Sequence, residues 1–239
     1  MTRKLIPALV MLLVSAVMLS TASFAWFANN TSVKANDMTV KVKSDSKFLQ
    51  IFTATDGDGS TEADATNKTA PDDLDLVHAQ IAEDNKTVSW FTGAAAAPNS
   101  STVNDEGLQP LGTITDTYAL INTFYVKMST DTTLTNLQIN SVTVTGAGEL
   151  APALRVLVVA KKEADDTLLG AQVWDVAGGA LVTTAPINSA EFLAAQVNGT
   201  EFIELDVYVY YDGEDETATT NNAAAGVQEQ TVSVSFKAQ

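Results

Sequence analysis

Apolar and polar residues alternate with a period of two along several separate stretches of this chain. That period places successive side chains on opposite faces and is typical of half-buried β-strands. It is clearest in residues 38–43, 202–211 and 231–237. Residues 154–160 are apolar on both faces, which predicts a strand in the interior of a sheet.

Further strand patterns fill much of the remaining chain. The apolar positions of residues 134–145 change parity near Asn140 and Ser141, which predicts a β-bulge. Residues 38–43 and 47–54 are predicted to pair with each other as a hairpin. The other predicted strands are residues 87–91, residues 118–128, and a hairpin of residues 172–176 with residues 180–184.

Little of the chain has a helical pattern. Residues 189–196 are predicted to form one short helix with Ser189 as its N-cap, and residues 73–83 fit a short helix or an irregular segment. Residues 55–72 and 93–110 are predicted to be long loops. Many strands with so little helix predict an all-β fold, a jelly-roll-type β-sandwich with long loops and one or two short helices.

Residues 1–25 have the organisation of an export signal. Arg3 and Lys4 precede an apolar stretch, residues 5–22, that carries no charge. Ser23 and Ala25 are small residues at the spacing that a signal peptidase needs, so cleavage after Ala25 is predicted. The apolar stretch is intermediate in length between a signal and a membrane span, so a retained N-terminal apolar helix stays open as the alternative.

Cleavage at this point divides the chain into three parts. Residues 1–25 form the signal peptide or retained helix, residues 26–37 an N-terminal arm, and residues 38–239 the β-sandwich domain. The arm begins with Trp26 and Phe27, and Val33 shares the parity of Phe27. We expect an extended arm that these three residues anchor to a partner. From the residues alone, an arm that folds back on its own domain as an ordinary first strand, or stays disordered, is an open alternative.

Composition narrows the classes of function. The formal net charge is −16, so the surface repels nucleic-acid phosphates and nucleic-acid binding is not expected. Cysteine is absent, which excludes disulfides, thiol chemistry and zinc–cysteine sites. An exported protein of this composition depends on its core or on assembly for durability.

Candidate sites for chemistry are few. Asp56, Asp58 and Ser60 have the spacing of the first calcium ligands of an EF-hand loop, but Thr61 and Asn67 replace its glycine and its glutamate. A solvated turn is the preferred interpretation, with calcium as a weak alternative, and no other cofactor is expected.

The remaining polar groups do not form a recognisable active site. Asp212, Glu214, Asp215 and Glu216 make an acidic turn that is interpreted as solubilising. His78 is the only histidine, so the paired histidines of a zinc protease cannot be present. We therefore expect no enzyme activity and no catalytic residue.

Both ends of the chain resemble the TasA/camelysin family of exported fibre proteins. The resemblance is carried by A-W-F-x-x-N at residues 25–30 and V-K-A-N-D-M-T-V-K-V at residues 33–42. It continues in VYVYYDGED at residues 207–215 and TVSVSFKAQ at residues 231–239. Family members usually carry a glycine at the first turn, where this chain has Asn36-Asp37.

The resemblance implies a jelly-roll domain, a signal peptidase during export, and an extracellular or cell-surface filament of the biofilm-matrix type. It also implies polymerisation by donor-strand exchange, with itself as the main partner and an accessory or anchoring subunit as a further one. Two alternatives stay open: a pilin-like or membrane-anchored surface protein that keeps its apolar helix, and a calcium- or glycan-binding adhesin that uses the two long loops.

Overall fold

The structure is a computed structural model of the 239-residue chain. It describes residues 32–36, 39–44, 49–56, 62–65, 73–92, 109–128, 136–145, 151–183, 185, 187–188, 202–215, 218, 227–228 and 231–238. This part of the chain is all-β, with curled sheets. Within it, no helix is long and apolar enough to cross a membrane.

Seventeen strands lie in the described part of the chain, with one 3-10 turn at Ala151–Ala153. In chain order they are β1 (Ser32–Asn36), β2 (Thr39–Ser44), β3 (Leu49–Phe52), β4 (Glu62–Ala65), β5 (Asp73–Asp75), β6 (His78–Ile81), β7 (Val88–Thr92), β8 (Gln109–Leu111), β9 (Leu120–Met128), β10 (Asn136–Thr145), β11 (Leu154–Lys162), β12 (Leu168–Asp175), β13 (Ala180–Leu181), β14 (Ile187–Asn188), β15 (Ile203–Tyr211), β16 (Val227–Gln228) and β17 (Thr231–Ala238).

These strands form two large and two small sheets. The five-stranded sheet has the order β14-β10-β17-β2-β4, and the six-stranded sheet has the order β13-β12-β11-β15-β9-β3. The small sheets are β16-β1-β5 and β6-β7-β8. Between named strands, the pairs are antiparallel except β1 with β16 and β2 with β17, so the N-terminal strands run parallel to the C-terminal ones.

The main hydrophobic core joins residues of the five-stranded and six-stranded sheets. Alternate side chains of both sheets point into it because a strand presents every second residue to the same face. The five-stranded sheet contributes Val40, Val42, Leu137, Ile139, Ile187, Val232, Val234 and Phe236; the six-stranded sheet contributes, among others, Phe124, Val156, Val158, Leu205, Val207 and Tyr211.

A second, smaller core contains the residues of the six-stranded sheet that point the other way. There Leu157, Ala171, Val173 and Tyr210 pack with Val77 and Trp90, with side chains of the β6-β7-β8 sheet around them. The ring of Trp90 meets that of Tyr210 edge-on, with 5.2 Å between centroids. The central strands of the large sheet are thus covered on both faces, which explains their continuous apolar sequence.

Most predicted strands are confirmed. Strand β11 lies between β12 and β15, as its two apolar faces predicted, and β12 pairs with β13 as the predicted hairpin. The predicted bulge in residues 134–145 is also confirmed, since the pairing of β10 with β17 shifts between Ile139 and Ser141. Gln172 of the opposite sheet accepts a hydrogen bond from the Ile139 N–H at 2.9 Å, which satisfies the bulged backbone.

The predicted hairpin of residues 38–43 with residues 47–54 is wrong. β2 pairs with β17 and β4 in the five-stranded sheet, whereas β3 pairs with β9 in the six-stranded sheet. Leu49 and Ile51 are buried in the same core as Val40 and Val42, so the short connection leads from one sheet to the other. Proximity in sequence favoured the hairpin, but burial of both apolar faces favours opposite sheets.

Two predictions about irregular segments also need correction. Residues 73–83 contain β5 and β6 instead of a helix, because Leu74 and Leu76 point into the main core with the two-residue period of a strand. The predicted loop of residues 55–72 contains β4, and that of residues 93–110 includes the start of β8. The predicted N-terminal helix and the predicted helix at residues 189–196 lie outside the described residues.

Candidate functional site

The end of the N-terminal arm is a strand that pairs within its own chain. β1 pairs antiparallel with β5 through residues 32–34, where Val33 lies opposite Leu74, and parallel with β16 through residues 35–36. Five residue pairs therefore hold it (three to β5 and two to β16). The other predicted residues of this region lie outside the described residues: the cleavage residues Ser23 and Ala25, and the anchors Trp26 and Phe27.

The pairing of the arm continues directly into the pairing of the sandwich. Ala35 lies opposite Val227 and Thr39 lies opposite Thr231, and in both cases the partner is 192 positions further along (227 − 35 and 231 − 39). The same offset extends to Ser44 opposite Phe236. β1 and β2 thus share one register with β16 and β17, although they belong to different sheets.

The neighbouring strand β5 and the residues just after it are bound to the rest of the domain. Leu74 is fully buried, and Asp75 donates its backbone N–H to the Thr117 carbonyl at 2.7 Å. Just beyond β5, the Val77 N–H donates to the Tyr211 carbonyl, and the Val77 carbonyl accepts from the Gly213 N–H, both at 3.2 Å. The segment that contacts the arm is therefore anchored by buried side chains and backbone hydrogen bonds, and the described contacts of the arm are its main-chain pairings with β5 and β16.

His78 connects the segment after β5 to the acidic turn after β15. Its Nδ1 lies 3.0 Å from Asp212 Oδ1 and 3.4 Å from Glu214 Oε2, and its side chain is 17% exposed. The Val77–Asp212 bridge brings the two segments together. Both of these carboxylates lie more than a hundred positions along the chain from His78.

Arg155 ties the same turn to the interior of the six-stranded sheet. Its guanidinium lies 3.1 Å from Asp175, 2.9 Å from Asp215 and 3.7 Å from Asp212, and its side chain is only 12% exposed. Arg155 also donates to the Pro152 carbonyl at 2.6 Å. A planar guanidinium has enough donors to serve several acceptors at once, which a lysine in its place could not do with the same geometry.

The described residues of the acidic turn, which the sequence analysis interprets as solubilising, also make ion pairs within the fold. Asp212, Glu214 and Asp215 contact one partly buried guanidinium and one imidazole, and so hold three segments of the chain together. Sequence reasoning missed Arg155 as their partner. Its signal was present, since Arg155 is the only arginine after Arg3 and interrupts an apolar run.

Lys161 forms a second charged cluster at the other end of β11. Its Nζ lies 3.0 Å from Glu204 and 3.4 Å from Asp206, which also accepts a hydrogen bond from the Thr123 hydroxyl at 2.7 Å. Burial lowers the pKa of Lys161, but the hydrogen bond to Glu204 and the charges of Asp206 and Glu204 outweigh it and raise the pKa above its usual range. Lys161 is therefore a structural cation, not a nucleophile.

Nothing in the described residues assembles a metal site. Asp56 is exposed, and Asp58 and Ser60, the other residues of the weak calcium pattern, lie outside the described residues. Across the described ranges, no group of three or more histidine, aspartate or glutamate side chains is arranged to hold a metal ion. The feature of the N-terminal arm that the structure does describe is its pairing in the three-stranded sheet β16-β1-β5.

No protein-family model matches this chain, and no curated protein matches it either.

Proposed function

We propose that this protein is the structural subunit of an extracellular filament or biofilm-matrix fibre, and that each subunit donates its N-terminal strand to a neighbour. The observation that carries the proposal is the contrast at the arm. Five residue pairs hold β1 in place, whereas β5 is fixed by the buried side chain of Leu74 and, with Val77 just beyond it, by hydrogen bonds to two other backbone segments. Such a site can release one copy of β1 and accept an identical one.

Exchange between copies conserves the interactions of the closed monomer. A donated strand from a second subunit forms the same hydrogen bonds with β5 and β16 as the subunit's own strand does, so little free energy is lost. The contact is head-to-tail and does not close on itself, so repetition gives a filament. Trp26 and Phe27 would enter the acceptor subunit ahead of Val33 and act as apolar anchors.

Export fits this role. Cleavage after Ala25 by a signal peptidase would release the arm only outside the cell, so filaments would form at the cell surface, where an accessory subunit could anchor them. The sandwich domain would be of the jelly-roll type, with the apolar N-terminal segment removed as a signal. This role is not enzymatic and needs no cofactor, and the acidic surface keeps unassembled subunits apart.

A disulfide between register partners tests strand donation. Ser32 lies opposite Asp75 in the β1–β5 pairing, and the natural chain has no cysteine to interfere. In filaments grown from a mixture of Ser32→Cys and Asp75→Cys subunits, oxidation should link different chains at these two positions. A mixture of Ser32→Cys with Ser89→Cys, an exposed residue of β7, is the matched control.

The double variant gives the decisive result. Oxidised as a monomer, Ser32→Cys/Asp75→Cys should lock the arm to its own domain and stop filament growth, and reduction should restore it. Growth of the oxidised monomer at the rate of the reduced one would exclude donation of this strand. N-terminal sequencing of protein from the cell surface should find Trp26 first; a start at Met1 would favour the helix-anchored alternative.

A further inference from the structure

Within the part of the chain that the structure describes, one long strand of the five-stranded sheet has no neighbour on one side over half of its length. β10 pairs with β17 from Leu137 to Thr145 on one side. On its other side, β14 pairs only with Asn136 and Leu137. Among the residues that the structure describes, no strand lies beside residues 141–145 on that side. Backbone N–H and C=O groups along such an edge form a template for a further strand.

This edge lacks the protection that the opposite edge of the same sheet has. β4 is only four residues long and carries Glu62 and Asp64, and charges on short edge strands prevent unwanted pairing. β10 has ten residues, NLQINSVTVT, with no charge, no proline and no glycine. In a chain of 29 acidic and 13 basic residues, an uncharged segment of this length is a place where two copies can approach without repulsion.

The side chains along this edge also leave apolar surface to be covered. Val142 and Val144 pack against the main core but are only partly buried, unlike Val232 and Val234 opposite them in β17. Thr143 and Thr145 on the other face are exposed. A strand laid beside residues 141–145 would cover the two valines and give the free backbone groups partners.

We propose that a second copy of this chain pairs its own β10 with this edge, antiparallel about a two-fold axis, so that two five-stranded sheets become one continuous sheet. An interface of this kind uses the same patch on both subunits and must be self-complementary. The repeated valine–threonine pattern of residues 142–145 meets that condition, because it places apolar residues opposite apolar ones and brings no like charges together. In a filament, this contact joins subunits laterally and is independent of donation of the arm.

Single cysteines in the full mature chain test the contact. Residues close to a two-fold axis lie opposite their own copies, and directly opposed residues of antiparallel strands are near enough for a disulfide. We expect Thr143→Cys, or Ser141→Cys or Thr145→Cys if the axis lies two residues to either side, to form covalent dimers quickly under mild oxidation. Val182→Cys, which is 61% exposed beside the edge strand β13, is the control for random collision.

A charge at the same position gives a second, independent readout. Thr143→Glu would place two carboxylates close together across the axis and should weaken the dimer about fivefold in sedimentation velocity. Ser89→Glu adds the same charge to an exposed residue of β7 and should leave the dimer unchanged. The proposal is overturned if none of the three edge cysteines cross-links faster than Val182→Cys, or if Thr143→Glu and Ser89→Glu sediment alike. Dimers formed by exchange of the arm would give that second result.

Discussion

Arg155 and Lys161 are cations on the same face of β11, six positions apart, but they join different parts of the chain. Arg155 is 12% exposed and its carboxylate partners come from two separate places, the end of β12 and the turn after β15. Lys161 is 22% exposed; two of its partners, Glu204 and Asp206, lie on the adjacent strand β15, and the third, Asp166, is an exposed residue of the turn after β11. Between the two cations, Leu157 and Val159 pack in the second, smaller core.

An ion pair stabilises this fold most where it joins segments that backbone pairing does not already join. β11 and β15 are already joined by nine backbone pairs, so Lys161 links strands that would stay together without it. Arg155 holds a turn that also contacts His78 and Val77, and therefore the segment beside β5. Removal of a buried cation leaves uncompensated carboxylates, and the cost increases with burial.

The largest effect is expected from removal of Arg155. Arg155→Met should lower the free energy of unfolding by about 3 kcal/mol, because Asp175, Asp212 and Asp215 would remain close together without a cation. Lys161→Met should cost about 1 kcal/mol, since Lys161 is the more exposed cation and joins strands that backbone pairing already holds together. Urea denaturation of both variants measures the difference. Equal losses would contradict the distinction between the two clusters.

Removal of the imidazole should loosen one side of the Arg155 cluster only. His78→Ala removes the contacts with Asp212 and Glu214 and should cost about 1 kcal/mol. Hydrogen exchange should become faster in residues 77–81 and in β5, while β11 stays protected. Gln80→Ala, an exposed residue of the same strand, is the control. Faster exchange spread evenly over all strands would argue against a local role for the His78 contacts.

The contribution of Lys161 and its neighbour Tyr208 to stability should be lost at high pH. Burial, with the charge of Asp206, raises the pKa of Tyr208 to about 12, and the pKa of Lys161 is raised as well. A group whose pKa is higher in the folded state stabilises it fully below the unfolded pKa, here about 10 for both groups. Stability should therefore be constant up to about pH 9.5 and fall as the pH rises towards 12.

Two substitutions separate the contributions to this alkaline loss. Tyr208→Phe and Lys161→Met should each make the fall in melting temperature between pH 10 and pH 12 shallower. Tyr118→Phe serves as the tyrosine control, because it changes a partly buried ring outside the Lys161 cluster. An unchanged alkaline slope in both test variants would assign the loss to other groups.

The smallest effect is expected at an exposed turn far from both cations. The Thr87 hydroxyl, with the backbone N–H groups of Thr87 and Lys86, donates to Asp84 and lowers the pKa of that carboxyl to about 2. Its contribution is present above the unfolded pKa and is lost as the pH falls from about 4 to 2. Asp84→Ala should slightly lower the melting temperature at pH 7 and reduce its fall between pH 4 and pH 2. Glu83→Ala should do neither.

Local sequence was sufficient for the strands themselves. Alternation in residues 231–237 predicted β17, two apolar faces in residues 154–160 predicted an interior strand, and a change of parity near Asn140 predicted the bulge. Each of these depends on which face of one strand is buried, and the order of apolar residues along that strand carries this information. No pattern of this kind says which other strand lies alongside.

Tertiary structure alone decided the partners. It placed residues 38–43 and 47–54 in opposite sheets, aligned β1 and β2 in one register with β16 and β17, and gave the acidic turn to Arg155 and His78. Pairing between strands nearly two hundred positions apart is selected by burial of whole sheet faces, and charged side chains take partners from the strands that this burial brings together. The sequence by itself determined the strands, and the packing of the sheets determined which surfaces and charges meet.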